Sequence, residues 1–319
     1  MYLTPSTPTD KVRSSVQIRK RMKPVMGTFA YAQVLSSSGK KSEKILDTIF
    51  SVLEKAENTL SRFRSESAVS IVNQSAFSSP VRLDACSYRL LKLCRQLNIQ
   101  TGGSFNIAVA PLMDLWRESA AENKFPPLQS VQKNLDLADM DQIQFDDRDH
   151  SVRFLREGIG IDLGAIGKGY ALDMVRDCLR DQKASAMVNL GGNIFHLNGA
   201  IDCFSIRHPL DERRVVESIP AETCSVSTSS NRELTYCIQG KKIGHLQDLK
   251  RNAHPDILSV TVSADSAAMA DAFSTCLFLM DKETGLALAK EYGVRYAVII
   301  YRQPRFWNSK LIRVERYQL

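Results

Sequence analysis

The sequence lacks the segments expected of a membrane-spanning or secreted protein. No stretch approaches the ~20 consecutive apolar residues that a spanning helix needs, and the N-terminus has no apolar run of signal-peptide length. The 7 cysteines are odd in number and include no Cys-x-x-Cys pair, which argues against a disulfide framework and against a zinc knuckle. Reduced core thiols are typical of a reducing compartment. We therefore expect a cytoplasmic protein without a membrane span.

A nucleic-acid-binding pattern is also missing. The net charge is +7, and part of the excess lies in the first 23 residues, at Lys11, Arg13, Arg19, Lys20, Arg21 and Lys23. No aromatic residue is interleaved after Tyr2, as a single-strand-binding surface would require. The cluster therefore predicts a flexible basic segment over residues 1–23, and the overall positive balance suits anionic small molecules.

What remains is an ordinary globular composition without internal repeats. Apolar residues recur every three or four positions, which predicts helices at 42–60, 83–97 and 267–280. Shorter runs predict strands at 25–35, 186–190, 194–197, 257–262 and 294–301, with a hairpin over 143–155. Residues 118–135 are polar and are expected to be mobile. Because helices and strands alternate irregularly, an α+β fold with mixed or antiparallel sheets is favoured.

One stretch, from Ile161 to Asp173, combines an acid, three glycines and a lysine. Lys168 stands where the next helix would begin, and a helix N-terminus favours anions. The spacing matches neither Gly-x-x-x-x-Gly-Lys-Ser/Thr nor Gly-x-Gly-x-x-Gly. The pattern indicates a site for a phosphate with a metal or a polar ring edge. A strand-to-helix turn that needs glycine for packing is an equally good interpretation.

A second polar feature lies on the predicted helix over 267–280. Asp271 and Thr275 are four residues apart and therefore lie on one face, while most of the helix is small or apolar. A carboxylate and a hydroxyl would form half of an oxygen shell for a hard cation such as Mg²⁺. Back-bonding to the carbonyl four residues earlier would explain Thr275 but not a buried Asp271.

Three further features are weaker. The pair Gly191-Gly192 between two apolar runs indicates either a close backbone approach or a tight turn. The hydroxyl-rich loop that begins at Thr228 is either a ligand contact or a solvated turn. His245 ends a predicted strand three residues before Asp248, and a lone histidine is more often structural than catalytic.

Taken in order along the chain, eight short blocks resemble the ApbE family of FAD:protein FMN transferases from about residue 24 onward. Each block alone is weak, whereas eight in the family's order with sensible spacing are strong. The blocks are Met26-Gly27-Thr28; Ser61-Arg62-Phe63 with Ser67 and Asn73; Gly103-Ser104-Phe105-Asn106 with Pro111, Leu112 and Trp116; residues 162–169; residues 189–193; Thr228-Ser229; His245 with Asp248; and residues 270–275.

The resemblance implies an ApbE-like, T-fold-like domain of two intimate subdomains over residues 24–319. It implies FAD as substrate, with transfer of FMN to a Ser or Thr hydroxyl of an acceptor flavoprotein and release of AMP. It also implies Mg²⁺, held by the carbonyl of Ala165 with Asp271 and Thr275. His245 would be the base and Asp271 the other catalytic residue. The implied FAD contacts are Met26, Phe63, Ser104, Phe105, Asn106, Asp162, Lys168, Thr228 and His245.

The chain departs from the family pattern at several acids. Asn106 and Asn193 stand where the family usually has acids, and Ser230-Asn231 replaces Gly-Asp. Residues 249–252 lack the turn formers that usually follow the histidine and aspartate. Two other functions therefore stay open. One is an Mg²⁺-dependent FAD pyrophosphatase that releases FMN and AMP, and the other is a flavin-binding protein that has lost catalysis.

Overall fold

The computed structural model describes residues 17–222, 225–230, 235–244, 256–303 and 311–319. These residues form helices α1 (Gly39–Leu60), α2 (Ala68–Ser75), α3 (Ala85–Gln100), α4 (Ala110–Ala121), α5 (Leu128–Leu137), α6 (Gly167–Leu179), α7 (Ala267–Leu279) and α8 (Lys282–Glu291). The strands are β1 (Gln17–Val25), β2 (Thr28–Ser36), β3 (Val81–Arg82), β4 (Ile143–Asp146), β5 (Ser151–Phe154), β6 (Ser185–Leu190), β7 (Asn193–Leu197), β8 (Cys203–His208), β9 (Asp211–Pro220), β10 (Ser225–Ser230), β11 (Thr235–Ile238), β12 (Lys241–Gly244), β13 (Ile257–Ala264), β14 (Val294–Arg302) and β15 (Ile312–Gln318).

One large antiparallel sheet organises these elements. Its order is β1-β2-β6-β7-β10-β13-β14-β15, and every neighbouring pair runs antiparallel. The remaining strands form three smaller sheets, β3-β5-β4, β8-β9 and β11-β12. The α+β prediction is therefore confirmed, and the predicted hairpin over 143–155 corresponds to β4 and β5.

Helix α7 joins two hydrophobic cores. In the first core, α1 and α6 pack on strands β2, β6 and β7, with Leu46, Phe50 and Val175 fully buried. The second core contains α2, α3, β13 and most of α7. Ala267, at the start of α7, belongs to the first core, whereas residues from Ala268 onward belong to the second. Every one of the 13 residues of α7 is buried.

The predicted flexible segment over 1–23 is wrong for its last seven residues, which belong to β1. Alternate basic side chains of β1 face α1 and pair with acids there: Arg21 lies 2.8 Å from Glu43 and 2.6 Å from Asp47, and Lys23 lies 3.5 Å from Glu54. Within the described residues, Arg19, Arg21 and Lys23 thus form one charged face of a strand. Residues 1–16 lie outside the described residues.

Other differences concern polar segments. Residues 118–135, expected to be mobile, include the end of α4 and most of α5, which begins directly after Pro127 and buries Leu137. The sequence pattern did not predict strands β9 and β15, because their charged residues hide the alternation of apolar and polar residues that identifies a strand. None of the helices in the described ranges is both long and apolar enough to span a bilayer.

Candidate functional site

The loop before α6 is fixed by hydrogen bonds from distant parts of the chain. Asn73 accepts from the Ile161 N–H at 2.7 Å and donates to the Ile161 carbonyl at 2.9 Å. The Asp162 N–H donates to the Ile107 carbonyl at 2.7 Å. The carboxylate of Asp162 then accepts from the Gly164 N–H at 2.7 Å. These bonds hold the loop so that its end becomes the first turn of α6.

Lys168 lies in that first turn, as predicted. Its Nζ is 3.2 Å from the Gly164 carbonyl, and the residue is half-buried. The ammonium group therefore lies over the loop at the N-terminal, positive end of α6. Two positive elements at one place favour an anionic ligand such as a phosphate.

Gly169 brings α6 into direct contact with α7. Its N–H donates to Asp271 Oδ2 at 3.0 Å. A Cβ at this position would lie 2.2 Å from the Ala267 carbonyl oxygen and 2.8 Å from the Ala268 Cα. Glycine is therefore required for helix packing here, so the packing interpretation holds at Gly169. The same contact also brings the lysine loop and the α7 acid together, as the site prediction required.

Asp271 is a buried carboxylate surrounded by hydroxyl groups. It is 4% exposed, and Ser227 Oγ lies 3.4 Å from its Oδ1. One turn further along, Thr275 Oγ1 lies 3.2 Å from Ser229 Oγ. The hydroxyl of Ser274, between them, contacts both serines. Sequence reasoning missed Ser227 and named Ser229 only within the Thr228-Ser229 block, because β10 is distant from α7 in the chain.

The oxygen groups at this place have the chemistry of a hard-cation site. Asp271 supplies one carboxylate, and Thr275 supplies a hydroxyl. The Gly169 N–H goes to Asp271 rather than to the Ala165 carbonyl four residues earlier, and no described residue donates to that carbonyl. Nowhere in the described ranges do three or more His, Cys, Asp or Glu side chains cluster as metal ligands. One carboxylate with neutral oxygens suits Mg²⁺ better than a soft transition metal.

Thr228, predicted as a ligand contact, lies on the other face of β10. Side chains alternate along a strand, so Ser227 and Ser229 face α7 whereas Thr228 does not. The hydroxyl of Thr228 instead lies 2.9 Å from the hydroxyl of Thr261 on β13. The motif was therefore well placed, but its serine neighbours are the residues beside Asp271.

Phe63 presents an exposed ring next to the lysine loop. The residue is 70% exposed, and its ring centroid lies 4.5 Å from the Arg62 guanidinium carbon and 5.3 Å from that of Arg117. Arg62 binds Asp114 through both terminal nitrogens at 3.0 Å, and its Nε lies 2.5 Å from Asp162. The ring is thus supported by a rigid network of charges and is free to stack on a planar ligand.

The acids around Arg62 favour its charged form. Burial alone would lower the pKa of the Arg62 guanidinium, but its hydrogen bonds to Asp114 and the charge of Asp162 outweigh burial and raise that pKa. Tyr236, on β11, lies close by with its hydroxyl 3.4 Å from the Met113 carbonyl oxygen, and burial raises its pKa. Asp114, Arg117 and Tyr236 were not predicted, because the contacts that bring them to this place, with Arg62, Phe63 and Met113, join distant parts of the sequence.

The turn at 103–106 is mostly structural. Phe105 is 1% exposed, and its N–H and carbonyl bond to Thr101 and Asn98. Asn106 donates to the Ala138 carbonyl at 2.8 Å and accepts from the Ala108 N–H at 2.7 Å. The side chains of Phe105 and Asn106 are therefore engaged within the protein. Ser104, in the same turn, is half-buried.

Met26 and Gly191 lie in neighbouring turns of the large sheet. Met26 has a φ of 53° and, with Gly27 at 70°, forms the two-residue turn between β1 and β2. A surface cavity of about 410 Å³ borders this turn. At the neighbouring β6–β7 turn, a Cβ on Gly191 would lie 2.8 Å from Thr28 Oγ1, so the glycine pair has both a tight turn and a close approach. His245 and Asp248 lie outside the described residues.

Comparisons with known proteins agree with this architecture. A family model described as the ApbE family matches residues 26–300. The chain is 29% identical over 274 residues to an FAD:protein FMN transferase of Klebsiella pneumoniae (strain 342), covering 82% of this chain and 86% of that protein. It is 29% identical over 315 residues to an FAD:protein FMN transferase of Treponema pallidum (strain Nichols), covering 92% and 87%.

Solved structures show the same fold. An ApbE protein from Thermotoga maritima matches with a TM-score of 0.81 at 25% identity, covering 93% of this chain and 96% of that one. The flavin transferase ApbE from Vibrio cholerae matches with a TM-score of 0.79 at 24% identity, covering 94% and 97%. The fold expected from the motif blocks is therefore confirmed.

Proposed function

Because the chain belongs to the ApbE family, we propose that it transfers the FMN part of FAD to a Ser or Thr hydroxyl of an acceptor flavoprotein. Relatives named FAD:protein FMN transferase align with 82% and 92% of the chain, and the family model matches residues 26–300. The observation that carries the proposal is the contact between Gly169 and Asp271. That contact joins the lysine loop to a buried carboxylate, as a pyrophosphate substrate with a cation requires.

The proposed reaction is a phosphoryl-type transfer. The acceptor hydroxyl oxygen attacks the FMN phosphorus of FAD, a new P–O bond forms, and the P–O bond to AMP breaks. AMP leaves with the electron pair, while the acceptor hydroxyl loses its proton to a base. Such a reaction depends more on positioning and on neutralising charge than on covalent catalysis. Lys168 and the N-terminus of α6 supply positive charge where the pyrophosphate would bind.

We also propose that Mg²⁺ is the cation. When bound, it would neutralise the pyrophosphate and favour departure of the AMP phosphate. Ala165, Asp271 and Thr275 would hold it, because a carbonyl, a carboxylate and a hydroxyl are the hard oxygen ligands that Mg²⁺ takes. Ser227 and Ser229 hold Asp271 and Thr275 in place through the contacts described above. His245 stays a proposed base for the acceptor hydroxyl.

The flavin or adenine ring would stack on Phe63. An exposed aromatic ring supported by Arg62 and Arg117 offers a rigid planar surface at small entropic cost. Asp162 contributes by fixing Arg62 and Gly164, which shapes both the ring platform and the lysine loop. Direct contacts from Met26, Ser104 and Thr228, and from Phe105 and Asn106 through atoms that remain accessible, stay proposals.

The cellular setting is part of the same proposal. Cys86, Cys178 and Cys237 are exposed thiols. Free exposed thiols persist in a reducing compartment. We therefore place the reaction in the cytoplasm or on the cytoplasmic side of a membrane.

The decisive experiment measures flavin transfer directly. The protein is incubated with FAD, Mg²⁺ and a candidate acceptor, and the acceptor is examined for covalent flavin fluorescence after denaturing electrophoresis. An acceptor in which the target Ser or Thr is replaced by Ala serves as the matched control. Fluorescence on the intact acceptor alone supports the proposal. FAD binding without labelling of any acceptor would contradict it.

The same assay separates the two other functions. AMP release without acceptor would indicate an Mg²⁺-dependent pyrophosphatase. FAD binding without AMP release under any condition would indicate a flavin-binding protein. AMP that appears only when acceptor is present supports transfer.

A further inference from the structure

A second buried acid links α6 and α7. Asp271 lies on α7 and binds α6, whereas this second acid lies on α6 and binds α7. Asp173, on the second turn of α6, is 8% exposed. Its Oδ1 accepts from the Ala267 N–H at 2.8 Å, and its Oδ2 accepts from the Ala268 N–H at 3.0 Å and from the Ser266 hydroxyl at 2.7 Å. Arg176 Nη1 lies 2.8 Å from Oδ1. Asp173 therefore binds the N-terminal amides of α7.

The two helices thus hold each other by reciprocal acids. Asp173 of α6 binds the first amides of α7, and Asp271 of α7 binds the Gly169 amide in the first turn of α6. Each carboxylate lies at the N-terminal, positive end of the other helix. Gly169 and Asp173 are one turn apart, as are Ala267 and Asp271, so the first turns of the helices run side by side.

This arrangement has little room for adjustment. The Gly169 backbone already lies so close to Ala267 that a Cβ would be 2.2 Å from the carbonyl oxygen. Ser266 adds a further constraint, because its hydroxyl donates to Asp173 and accepts from the Met269 N–H at 3.2 Å. A shift of α7 at its N-terminus would therefore move Asp271 relative to Gly169 and the lysine loop.

We propose that Asp173 is a positioning residue for the transfer site. It holds the N-terminus of α7 against α6 so that Asp271 stays in register with Lys168 and Ala165. The inference rests on the proposed function for what the site binds. It goes beyond that function because it makes the affinity of the site for the cation and for FAD depend on Asp173, a carboxylate one helical turn along α6 from Gly169.

The test compares Asp173→Asn with Asp177→Asn. The first change keeps the size of the side chain but places an amide where two backbone N–H groups and a hydroxyl require acceptors. The second removes an acid from the same helix that also contacts Arg176 but is exposed and makes no described contact with α7. Mg²⁺ is titrated at fixed FAD and FAD at fixed Mg²⁺, with FAD fluorescence and the ligand-induced rise in Tm as readouts.

We expect Asp173→Asn to weaken both affinities about tenfold, because small displacements of positioning groups have large effects. Asp177→Asn should stay within about twofold of wild type, as expected of an exposed acid. In the transfer assay, Asp173→Asn should raise the KM for FAD and the Mg²⁺ requirement more than it lowers kcat at saturation. A variant that melts at lower temperature yet binds both ligands with wild-type affinity would overturn the proposal.

A second pair of variants decides the question if Asp173→Asn does not fold. Ser266→Ala removes one donor to Asp173, whereas Ser266→Thr retains the hydroxyl. We expect a few-fold loss of affinity for Ser266→Ala and recovery in Ser266→Thr. Wild-type affinity in Ser266→Ala would overturn the proposal.

Failure of the proposed function gives a different result. If wild type binds FAD and Mg²⁺ but labels no acceptor, the transfer proposal fails. The affinities of Asp173→Asn and Asp177→Asn for the two ligands then still test the positioning role of Asp173. If wild type responds to neither ligand, this inference is overturned as well, because there is no site to position.

Discussion

Helices α7 and α1 obtain their polar residues for different reasons. Helix α1 is amphipathic: one face buries Leu46, Phe50 and Leu53, and acids on its outer part meet the basic residues of β1. Helix α7 is buried along its whole length, so contact with solvent cannot explain why it carries the polar side chains of Asp271 and Thr275. A polar side chain kept inside a buried helix needs partners, and here the partners belong to the candidate site.

Replacing Asp271 should give the largest effect on transfer activity, and it tests whether the polar residues of α7 serve the site. Asp271→Asn removes the only carboxylate of the proposed cation site, so we expect transfer activity to fall by at least about 100-fold. The remaining carbonyl oxygen can still accept from Gly169, so the free energy of unfolding should change by only about 1 kcal/mol. Activity assays and urea unfolding measure the two quantities.

Thr275→Ala is the graded control on the same helix. Water can replace a neutral hydroxyl in a cation shell, so its loss should be only a few-fold. If Asp271→Asn keeps full Mg²⁺-dependent activity while Thr275→Ala unfolds the protein, the pair is a packing feature of α7 and the site assignment is wrong.

An effect between those of Asp271→Asn and Thr275→Ala is expected at the lysine loop. Lys168→Ala removes a positive charge that, among the described residues, makes one bond, to the Gly164 carbonyl. FAD affinity should fall about tenfold, which corresponds to about 1.4 kcal/mol, with little change in Tm. Lys168→Arg keeps the charge and is the matched control. Unchanged FAD binding in Lys168→Ala would place the pyrophosphate elsewhere.

The capping of α3 offers a contrast with that of α7. Asp84 accepts from the N–H groups of Cys86 and Ser87, its own next residues, so its role is local. Burial alone would raise the pKa of Asp84, but these hydrogen bonds and that from the Ser87 hydroxyl lower it. A lowered pKa means that the stabilisation is present above the unfolded value of about 4 and is lost as pH falls through the folded value.

Asp84→Ala should therefore destabilise the protein by about 1 kcal/mol at pH 7. The difference from wild type should shrink below about pH 4, because the carboxyl of wild type becomes protonated there. Urea unfolding at pH 7 and pH 3 measures it. Asp84→Asn keeps a capping oxygen that does not titrate. A wild-type advantage over Asp84→Ala that is equally large at both pH values would contradict the assignment.

The same contrast explains how much of the structure could be predicted. Local features could be predicted from the sequence. The apolar repeat of α1, the continuous apolar stretch of α7 and the glycine turn at 191–192 all follow from neighbouring residues. Contacts between distant segments were not. Nothing around Arg62 identifies Asp114 as its partner, and nothing around Asp173 shows that it caps a helix about a hundred residues later.

At the site, the motif blocks gave the right segments but not always the right atoms. Ser227 and Ser229 face α7 while Thr228 faces away, because the strand register of β10 decides which side chains point to the acid. Phe105 lies in the core for a similar reason, since the bonds of its turn to Thr101 and Asn98 hold the ring inward. Register and burial arise from the whole sheet, not from a short block.

The smallest effect is expected on α1, where acids only pair with an edge strand. Asp47 lies 2.6 Å from Arg21, and its side chain is 67% exposed. Exposed ion pairs contribute about 0.2–1 kcal/mol, and Arg21 keeps Glu43 as a second partner, so Asp47→Ala should cost less than about 0.5 kcal/mol. Urea unfolding at low salt and at 1 M NaCl measures this, and the difference should vanish at high salt because the Debye length falls to about 3 Å. A loss above about 2 kcal/mol, or one that salt does not reduce, would show that β1 depends on this pair, and the contrast between α1 and α7 would no longer hold.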